Sequence, residues 1–266
     1  SYYLEFARSQ EGDLKAQAEL ARTYARLGKI TQHIGRREEA AEYLQKSLAT
    51  FRQLAAQQGL TPDDRRRRAA AQVNLADIYR LLGEFERAAQ NYRQVIPNLR
   101  SLGELAEHEL TIALHDLAVL LYLEFGDNAG AANLLHEDIK ILEASIVRED
   151  APHKQDILSS VYLSLANVHR HDEQHEAAEK CFRRSLELRE ALVEIYPRAA
   201  YHRFLLARCR LNFGALLNRR GEHAAAADHL MQSVSLLDEL VAQNPQYLEY
   251  QSELVAALTN LSSLHV

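Results

Sequence analysis

A long repeat with a nearly constant period constrains this chain more than any other feature. An apolar residue followed by a small residue recurs along the chain, with a degenerate third copy. The small or equivalent positions are Gly28, Ala76, Val119, Ala166, Gly214 and Ser262. Their successive intervals are 48, 43, 47, 48 and 48. Self-similarity at a fixed period of this length indicates stacked copies of one small structural unit.

Fixed offsets from the small positions show what each unit contains. Twelve residues after each of the first five positions stands an alanine: Ala40, Ala88, Ala131, Ala178 and Ala226. Sixteen residues after them stands a large apolar residue: Leu44, Tyr92, Leu135, Phe182 and Leu230. Seven residues after them, four of the five residues are glycines (Gly35, Gly83, Gly126 and Gly221), and Glu173 is the exception. This pattern predicts two helices per unit with a glycine turn between them.

The second unit illustrates the prediction. Its first helix carries apolar residues on one face, from Ala71 to Leu82, and Gly83 then ends the helix. The next apolar face begins at Phe85. The small residues have a packing reason, because two helices approach closely only where neither carries bulk at the crossing.

The prolines predict helix boundaries. Pro62, Pro152, Pro197 and Pro245 each stand about one helix length before a small position, where the first helix of a unit is expected to begin. Thr61 is the expected N-cap before Pro62.

Pro97 is different, since it falls inside a second helix. It predicts a kink or an early end there, and a straight helix continuous over 85–101 would contradict this.

These features resemble the tetratricopeptide repeat. The small position, the glycine, the alanine and the large residue match that family's pattern. The family's frequent tryptophan is absent, and the units are longer than the roughly 34 residues usual in the family. Units this long resemble those of kinesin light chain and of repeat arrays attached to bacterial Ser/Thr protein kinases. HEAT or armadillo repeats are the alternative family.

The resemblance implies an all-α fold, an α-solenoid that forms a right-handed superhelix of antiparallel helix pairs. It covers residues 14–266 as five repeats and the first helix of a sixth, and residues 1–13 are expected to be the tail of a preceding helix. The predicted repeats are 14–60, 61–103, 104–150, 151–197, 198–244 and 245–266. The start at Ser1 and the end within a helical pattern are interpreted as those of a piece of a longer protein.

In this family the first helix of each repeat lines a concave groove. The family's groove positions fall on these residues: Arg22, Arg26, Lys29, Asn74, Asp77, Arg80, Ser164, Asn167, Arg170, His171, Arg208, Asn212, Ala215, Asn218, Arg219 and Asn260. An asparagine there can hold an extended peptide backbone through both ends of its amide, or it can bond to a neighbouring helix instead. The lysine and asparagine set that clamps chaperone tails is not reproduced.

Charge is unevenly distributed. The net charge of −6 argues against nucleic-acid binding overall. Residues 101–150 carry eleven acidic and two basic residues, whereas residues 195–221 carry six arginines and no acid. The basic segment is expected either to attract an acidic peptide or a phosphate, or to be solvated and paired with acids of adjacent repeats.

No catalytic, cofactor or metal site is expected. Glycine-rich phosphate loops and nucleophile motifs are absent from the sequence. His171 and His175 have the i, i+4 spacing of a metal pair, but they straddle a predicted turn. Cys181 and Cys209 are expected to be core thiols, and His169 and His265 to be packing residues.

The favoured function is protein–protein interaction through the concave face with a protein or peptide partner, and an acidic partner is one option. No apolar run is long enough to span a membrane, and two cysteines favour a reducing compartment, so a cytoplasmic location is expected. Three alternatives stay open: a module regulating an attached catalytic domain such as a kinase, a phosphate or nucleic-acid binder using residues 195–221, and self-association of the repeats.

Overall fold

The chain folds into α-helices in the computed structural model, which describes residues 14–149 and 151–264. The predicted tail at residues 1–13 and His265 lie outside the described residues. The helices are α1 (Leu14–His33), α2 (Arg37–Gln58), α3 (Pro62–Leu81), α4 (Phe85–Leu102), α5 (Glu107–Glu124), α6 (Asn128–Arg148), α7 (Pro152–His171), α8 (His175–Ile195), α9 (Ala200–Arg219), α10 (His223–Gln243) and α11 (Leu248–Ser262), with a short 3-10 helix at Gly103–Ala106. No strand forms among these residues, so the predicted all-α repeat fold is confirmed.

Two compact units divide the chain between Leu134 and Leu135, inside α6. In the first unit α1 packs on α2, α3 packs on α2 and α4, and α5 packs on α4. In the second unit α8 packs on α7 and α9, and α10 packs on α9 and α11. The turns within the helix pairs are only three residues long, so the helices of each pair run antiparallel. The predicted division into repeats follows these pairs but stays a prediction.

The small positions lie where two helices cross closely. A Cβ added to Gly28 would stand 2.7 Å from Leu44 Cγ and 3.2 Å from the Ala40 carbonyl oxygen. At Gly214 the corresponding distances are 2.8 Å to Leu230 Cγ and 3.3 Å to the Ala226 carbonyl oxygen. The contacted residues are those at offsets 16 and 12, so the recurring alanine and large residue form the pocket that excludes a larger side chain.

Buried serines fix the same crossing by a hydrogen bond. Three second helices carry a serine whose hydroxyl donates to a main-chain carbonyl of the preceding first helix at 2.8 Å. The bonds run from Ser47 to Ala21, from Ser185 to Ser159 and from Ser233 to Ala207. A buried hydroxyl needs such a partner, so each bond also specifies how far one helix slides along the other.

The predicted glycine turns are confirmed. Gly35, Gly83 and Gly221 end first helices with positive φ angles of 84°, 76° and 78°. Among the described residues Glu173 is the one non-glycine residue with positive φ, at 58°, and it occupies the same place in its repeat. The following amide bonds five residues back in each case, as from Glu84 to Tyr79, which caps the helix.

The predicted small position of the third repeat is wrong by one residue. Ala118 is fully buried, whereas Val119 is partly exposed. The reason is one extra residue between Ala118 and Gly126, where the Asp127 amide bonds six residues back to the Leu121 carbonyl at 2.9 Å. This extra residue restores the register, so Ala131 is buried as expected.

The proline predictions are confirmed in part. Pro62 and Pro152 occupy the first turns of α3 and α7, and Thr61 Oγ1 accepts a hydrogen bond from the Asp64 amide at 3.1 Å. Pro197 and Pro245 do not begin helices.

The latter two prolines lie in turns that precede α9 and α11. The Ala199 amide bonds to the Tyr196 carbonyl, and the Tyr247 amide bonds to the Asn244 carbonyl. Each proline is therefore the second residue of a β-turn, a position for which its fixed φ is suited.

Pro97 does not end α4, so the early end predicted there is wrong. The helix runs on to Leu102. Pro97 and Arg93, whose carbonyl loses its helical amide partner, are both exposed, so water can satisfy that carbonyl.

Candidate functional site

The surface formed by the exposed side of the first helices is called here the first-helix face. In the first unit it lies on α1, α3 and α5, and in the second unit on α7, α9 and α11. One position is polar in every repeat: the residue two places before the small residue, once the third repeat is aligned on Ala118. These residues are Arg26, Asn74, Asp116, Ser164, Asn212 and Asn260. Arg26 is exposed and the other five are half-buried.

In the first unit, Asp77 is the centre of a hydrogen-bonded group on the first-helix face. Gln32 Nε2 donates to Asp77 Oδ2 at 2.8 Å, and Arg80 Nη2 donates to Asp77 Oδ1 at 2.5 Å. Burial lowers the pKa of Arg80, but the hydrogen bond and charge of Asp77, together with the charge of Asp116, hold it above its usual value. Asn74, one helical turn away, makes no hydrogen bond to the described residues, so both ends of its amide can serve a ligand.

Asp116 belongs to this face and was missed by the sequence reasoning, which aligned the third repeat one residue too late. Its Oδ2 accepts a hydrogen bond from the Tyr92 hydroxyl at 3.1 Å. Burial raises the pKa of Asp116 to about 6, against the opposing charge of Arg80. Burial lowers the pKa of the adjacent His115 to about 4, so its imidazole is neutral at neutral pH. The aspartate therefore changes charge in weakly acidic solution, near its pKa.

Arg22 has a structural role instead. Its Nη2 lies 2.7 Å from Oδ1 of Asp64, a buried residue in the first turn of α3. Arg26 and Lys29, farther along α1, are exposed and available to a ligand.

In the second unit, the first-helix face is basic and rich in amides. Arg170 Nη2 donates to Asn167 Oδ1 at 3.1 Å, which places both side chains together on α7. Asn212 Nδ2 donates to the Arg208 carbonyl of its own helix at 3.0 Å, so its Oδ1 is the end that faces outward.

The residues at the end of the first helices are more exposed. His171 ends α7 near Asp172, with the Nδ1 and Oδ1 atoms 3.8 Å apart. Asn218 Oδ1 lies 3.0 Å from His223 Nδ1 across the turn, and Arg219 is exposed.

Most arginines of the basic segment 195–221 pair with acids of adjacent helices. Arg210 Nη2 lies 2.6 Å from Glu190 Oε1, and Arg208 Nε lies 3.5 Å from Glu253 Oε1. Arg203 pairs with Glu239, and Arg220 pairs with Glu179. These contacts favour the interpretation of paired surface charges over that of a free cationic patch.

The histidine and cysteine candidates have no joint site. His171 ends α7 and His175 begins α8, so a turn separates them. Cys181 and Cys209 are buried thiols. In the described part of the chain, no three histidine, cysteine or acidic side chains come close enough to hold a metal ion. None of the helices described is long and apolar enough to cross a membrane.

Tetratricopeptide repeat models match residues 19–101 and residues 158–195. These two segments are similar to tetratricopeptide repeats. The predicted resemblance to this family, including repeats like those of kinesin light chain, is confirmed. No curated protein sequence matches the chain significantly.

Solved structures share the tetratricopeptide repeat fold. The crystal structure of BtubC (BKLC) from P. vanneervenii is 18% identical and has a TM-score of 0.69, with 92% of this chain and 89% of that chain covered. A putative kinesin light chain from Podosopora anserina with nearly identical TPR-like repeats is 21% identical, with a TM-score of 0.56 and coverage of 84% and 97%. The apo form of RapI is 14% identical, with a TM-score of 0.58 and coverage of 98% of both chains. Tetratricopeptide repeats support the coarse function of a protein-interaction scaffold.

Proposed function

We propose that the chain is a non-catalytic scaffold that binds an extended segment of a partner protein along its first-helix face. The observation that carries this proposal is the polar, at least partly exposed residue that recurs two places before the small residue of each repeat. Buried positions recur because helices must pack. A polar surface position that recurs in every repeat has no such packing reason, and it supplies hydrogen-bonding groups at regular intervals.

The asparagines supply the chemistry for a peptide backbone. Asn74 offers both its amide donor and its carbonyl acceptor. Asn212 and Asn260 each use Nδ2 on a carbonyl of their own helix, which leaves Oδ1 to accept from a peptide N–H group. Rigid helices hold these groups in place, so binding costs little ordering on the protein side.

The partner segment is expected to carry acidic residues where it contacts the second unit. Arg170 is half-buried beside Asn167, and Arg219 is exposed. Arg208 Nε lies 3.5 Å from Glu253 Oε1, a long contact that a ligand carboxylate can replace.

A random peptide library displayed on phage and selected on the whole chain tests this proposal. Asn74→Leu and Asn212→Leu keep the side-chain size but remove the amides. Each is expected to weaken at least tenfold the binding of those selected peptides that contact its own unit. Gln53→Leu and Gln232→Leu make the same kind of change at exposed positions on second helices and are the matched controls. Selected peptides that bind both Asn→Leu variants as tightly as the unchanged chain would contradict the proposal.

A second candidate function, self-association, is favoured by the apolar surface of α11. Leu248, Val255 and Leu258 are 74%, 62% and 46% exposed. The position of Val255 in its repeat is that of Ala207, which the following helix buries completely. Light scattering after size-exclusion chromatography is expected to show a dimer that Val255→Asp converts to monomer, and a concentration-independent monomer would remove this candidate.

A further inference from the structure

A groove on the other side of the first unit has the features of a separate binding site. It lies between α2 and α4, over α3, and has a volume of about 500 Å³. We call it the outer groove, and its polar lining consists of Gln45, Arg52, Arg68, Gln72, Asn91 and Gln94. Leu48, Ala49 and Leu75 add apolar surface. The volume falls within the range of about 300–1,000 Å³ that is usual for ligand sites.

The outer groove is distinct from the first-helix face. Successive residues of a helix are rotated by about 100°, which places Arg68 and Gln72 on the side of α3 opposite to Asn74 and Asp77. A ligand in the outer groove therefore leaves the first-helix face free.

The charges in the outer groove are uncompensated. Neither Arg52 nor Arg68 forms an ion pair with any residue that the structure describes, and the groove has no acidic lining residue there. Their neighbours on α3 behave differently, since Arg66 pairs with Glu109 at 2.6 Å and Arg67 pairs with Asp63 at 2.7 Å. Two unpaired guanidinium groups over a partly apolar floor attract a carboxylate or a phosphate.

The amides of the outer groove narrow the choice of ligand. Asn91 Nδ2 donates to the Arg87 carbonyl at 2.8 Å, and Gln45 Nε2 donates to the Tyr79 hydroxyl at 2.8 Å. Both side chains therefore donate one amide hydrogen inside the protein and keep their carbonyl oxygens for a ligand. An oxygen acceptor repels a bare phosphate but accepts from a peptide N–H group.

We propose that the outer groove binds a short acidic peptide segment. Its side-chain carboxylates pair with Arg52 and Arg68, and its main-chain N–H groups donate to the free amide oxygens of Asn91 and Gln45. The scaffold thereby has a second peptide site, on the opposite side of α3 from the first.

Fluorescence anisotropy with the whole chain tests the proposal. The probe is the labelled peptide Gly-Asp-Glu-Asp-Glu-Gly, and Gly-Asn-Gln-Asn-Gln-Gly is its uncharged counterpart. The acidic probe is expected to bind at least tenfold more tightly than the uncharged one at low salt. The double variant Arg52→Gln, Arg68→Gln is expected to lose that difference, with its fold checked by circular dichroism. Failure of the unchanged chain to bind the acidic probe at millimolar concentration would overturn the proposal.

A matched control removes the same charge nearby. Arg65 and Arg93 are exposed on α3 and α4 but do not line the groove, so Arg65→Gln, Arg93→Gln is expected to change the dissociation constant less than twofold. An equal loss in both double variants would overturn the proposal, because it would show attraction by overall charge alone.

Two further arms identify the ligand and the face. Asn91→Ala is expected to weaken binding of the acidic peptide severalfold. Binding of glutarate, a dicarboxylate without N–H groups, is expected to stay unchanged. Displacement of the peptide by an equal concentration of inorganic phosphate would overturn the peptide assignment in favour of a simple anion site. Loss of probe binding in Asn74→Leu would place the probe on the first-helix face and would also overturn the proposal.

Discussion

The outer groove of the first unit and its counterpart in the second unit have similar volumes but different chemistry. The counterpart lies between α6 and α8, over α7, and has a volume of about 530 Å³. Its arginine is compensated, because Arg184 pairs with Glu187 at 2.9 Å and the groove also contains Glu143. Most of the remaining lining is apolar. The repeated backbone therefore creates a groove in both units, and the exposed residues alone decide what the groove can bind.

The buried crossings, unlike the groove surfaces, are nearly the same in the two units. A Cβ at Gly28 of the first unit or at Gly214 of the second would meet a leucine Cγ at 2.7 or 2.8 Å and a carbonyl oxygen at 3.2 or 3.3 Å. Packing fixes these contacts in both units, whereas the surface is free to diverge. Three sets of substitutions test how far this contrast extends.

The largest effect is expected at the buried crossings. Gly28→Val and Gly214→Val insert a branched side chain against Leu44 and Leu230, and each is expected to lower the free energy of unfolding by about 3 kcal/mol. Urea denaturation followed by circular dichroism measures both. The two losses should agree within about 1 kcal/mol, and a much smaller loss in one unit would break the equivalence of the crossings.

An intermediate effect is expected at Asp116, where the units differ, since the second unit has Ser164 and Asn212 at this position. Burial raises the pKa of Asp116, so the folded state holds its proton more tightly than the unfolded state. The resulting stabilisation is complete below about pH 4 and is lost as the pH rises through about 6.

Asp116→Asn is therefore expected to raise the free energy of unfolding above that of the unchanged chain by more at pH 8 than at pH 4. A quarter of the side chain is exposed, which limits the gain to about 1–2 kcal/mol. Urea denaturation at both pH values measures it, and Glu42→Gln is the control for removing one exposed negative charge. A gain of equal size at both pH values would contradict the assignment.

The smallest effect is expected at the helix-ending turns. Glu173 adopts the positive φ that Gly221 adopts in the next repeat. Glu173→Gly is expected to stabilise the second unit by about 1 kcal/mol, and Gly221→Glu to destabilise it by the same amount. Thermal unfolding monitored by circular dichroism compares them, and a destabilising Glu173→Gly would show that the glutamate side chain contributes contacts of its own.

The sequence predicted those features that depend on packing and on turn geometry. Gly28 and Gly214 recur because the helix crossing leaves no room for a larger side chain. The turn glycines recur because their residues adopt a positive φ. Pro97 was misjudged because the sequence does not show that Arg93, whose carbonyl loses its helical amide partner, is exposed. The third repeat was misaligned by one residue because Ala118 and Val119 are both apolar, and an extra residue near the end of α5 conceals the shift.

Surface features were harder to predict because they depend on residues from several helices. The paired state of Arg203, Arg208 and Arg210 depends on acids that belong to other helices and stand far away in the sequence. Arg52 and Arg68 belong to separate helices, and no local pattern joins them. Asn74 and Asp77 were found because the family's repeat pattern carries a surface position along with the buried ones.

The buried serine bonds have a consequence for protein engineering. Ser185 and Ser233 stand one full period apart, and each holds its helix pair by the same 2.8 Å hydrogen bond. Deleting one full period between equivalent residues leaves the serine hydrogen bonds of the remaining helix pairs in place, and inserting one period adds one more such bond. The length of the second unit is thus adjustable in whole periods, with the number of sites on its surface changing by one repeat at a time.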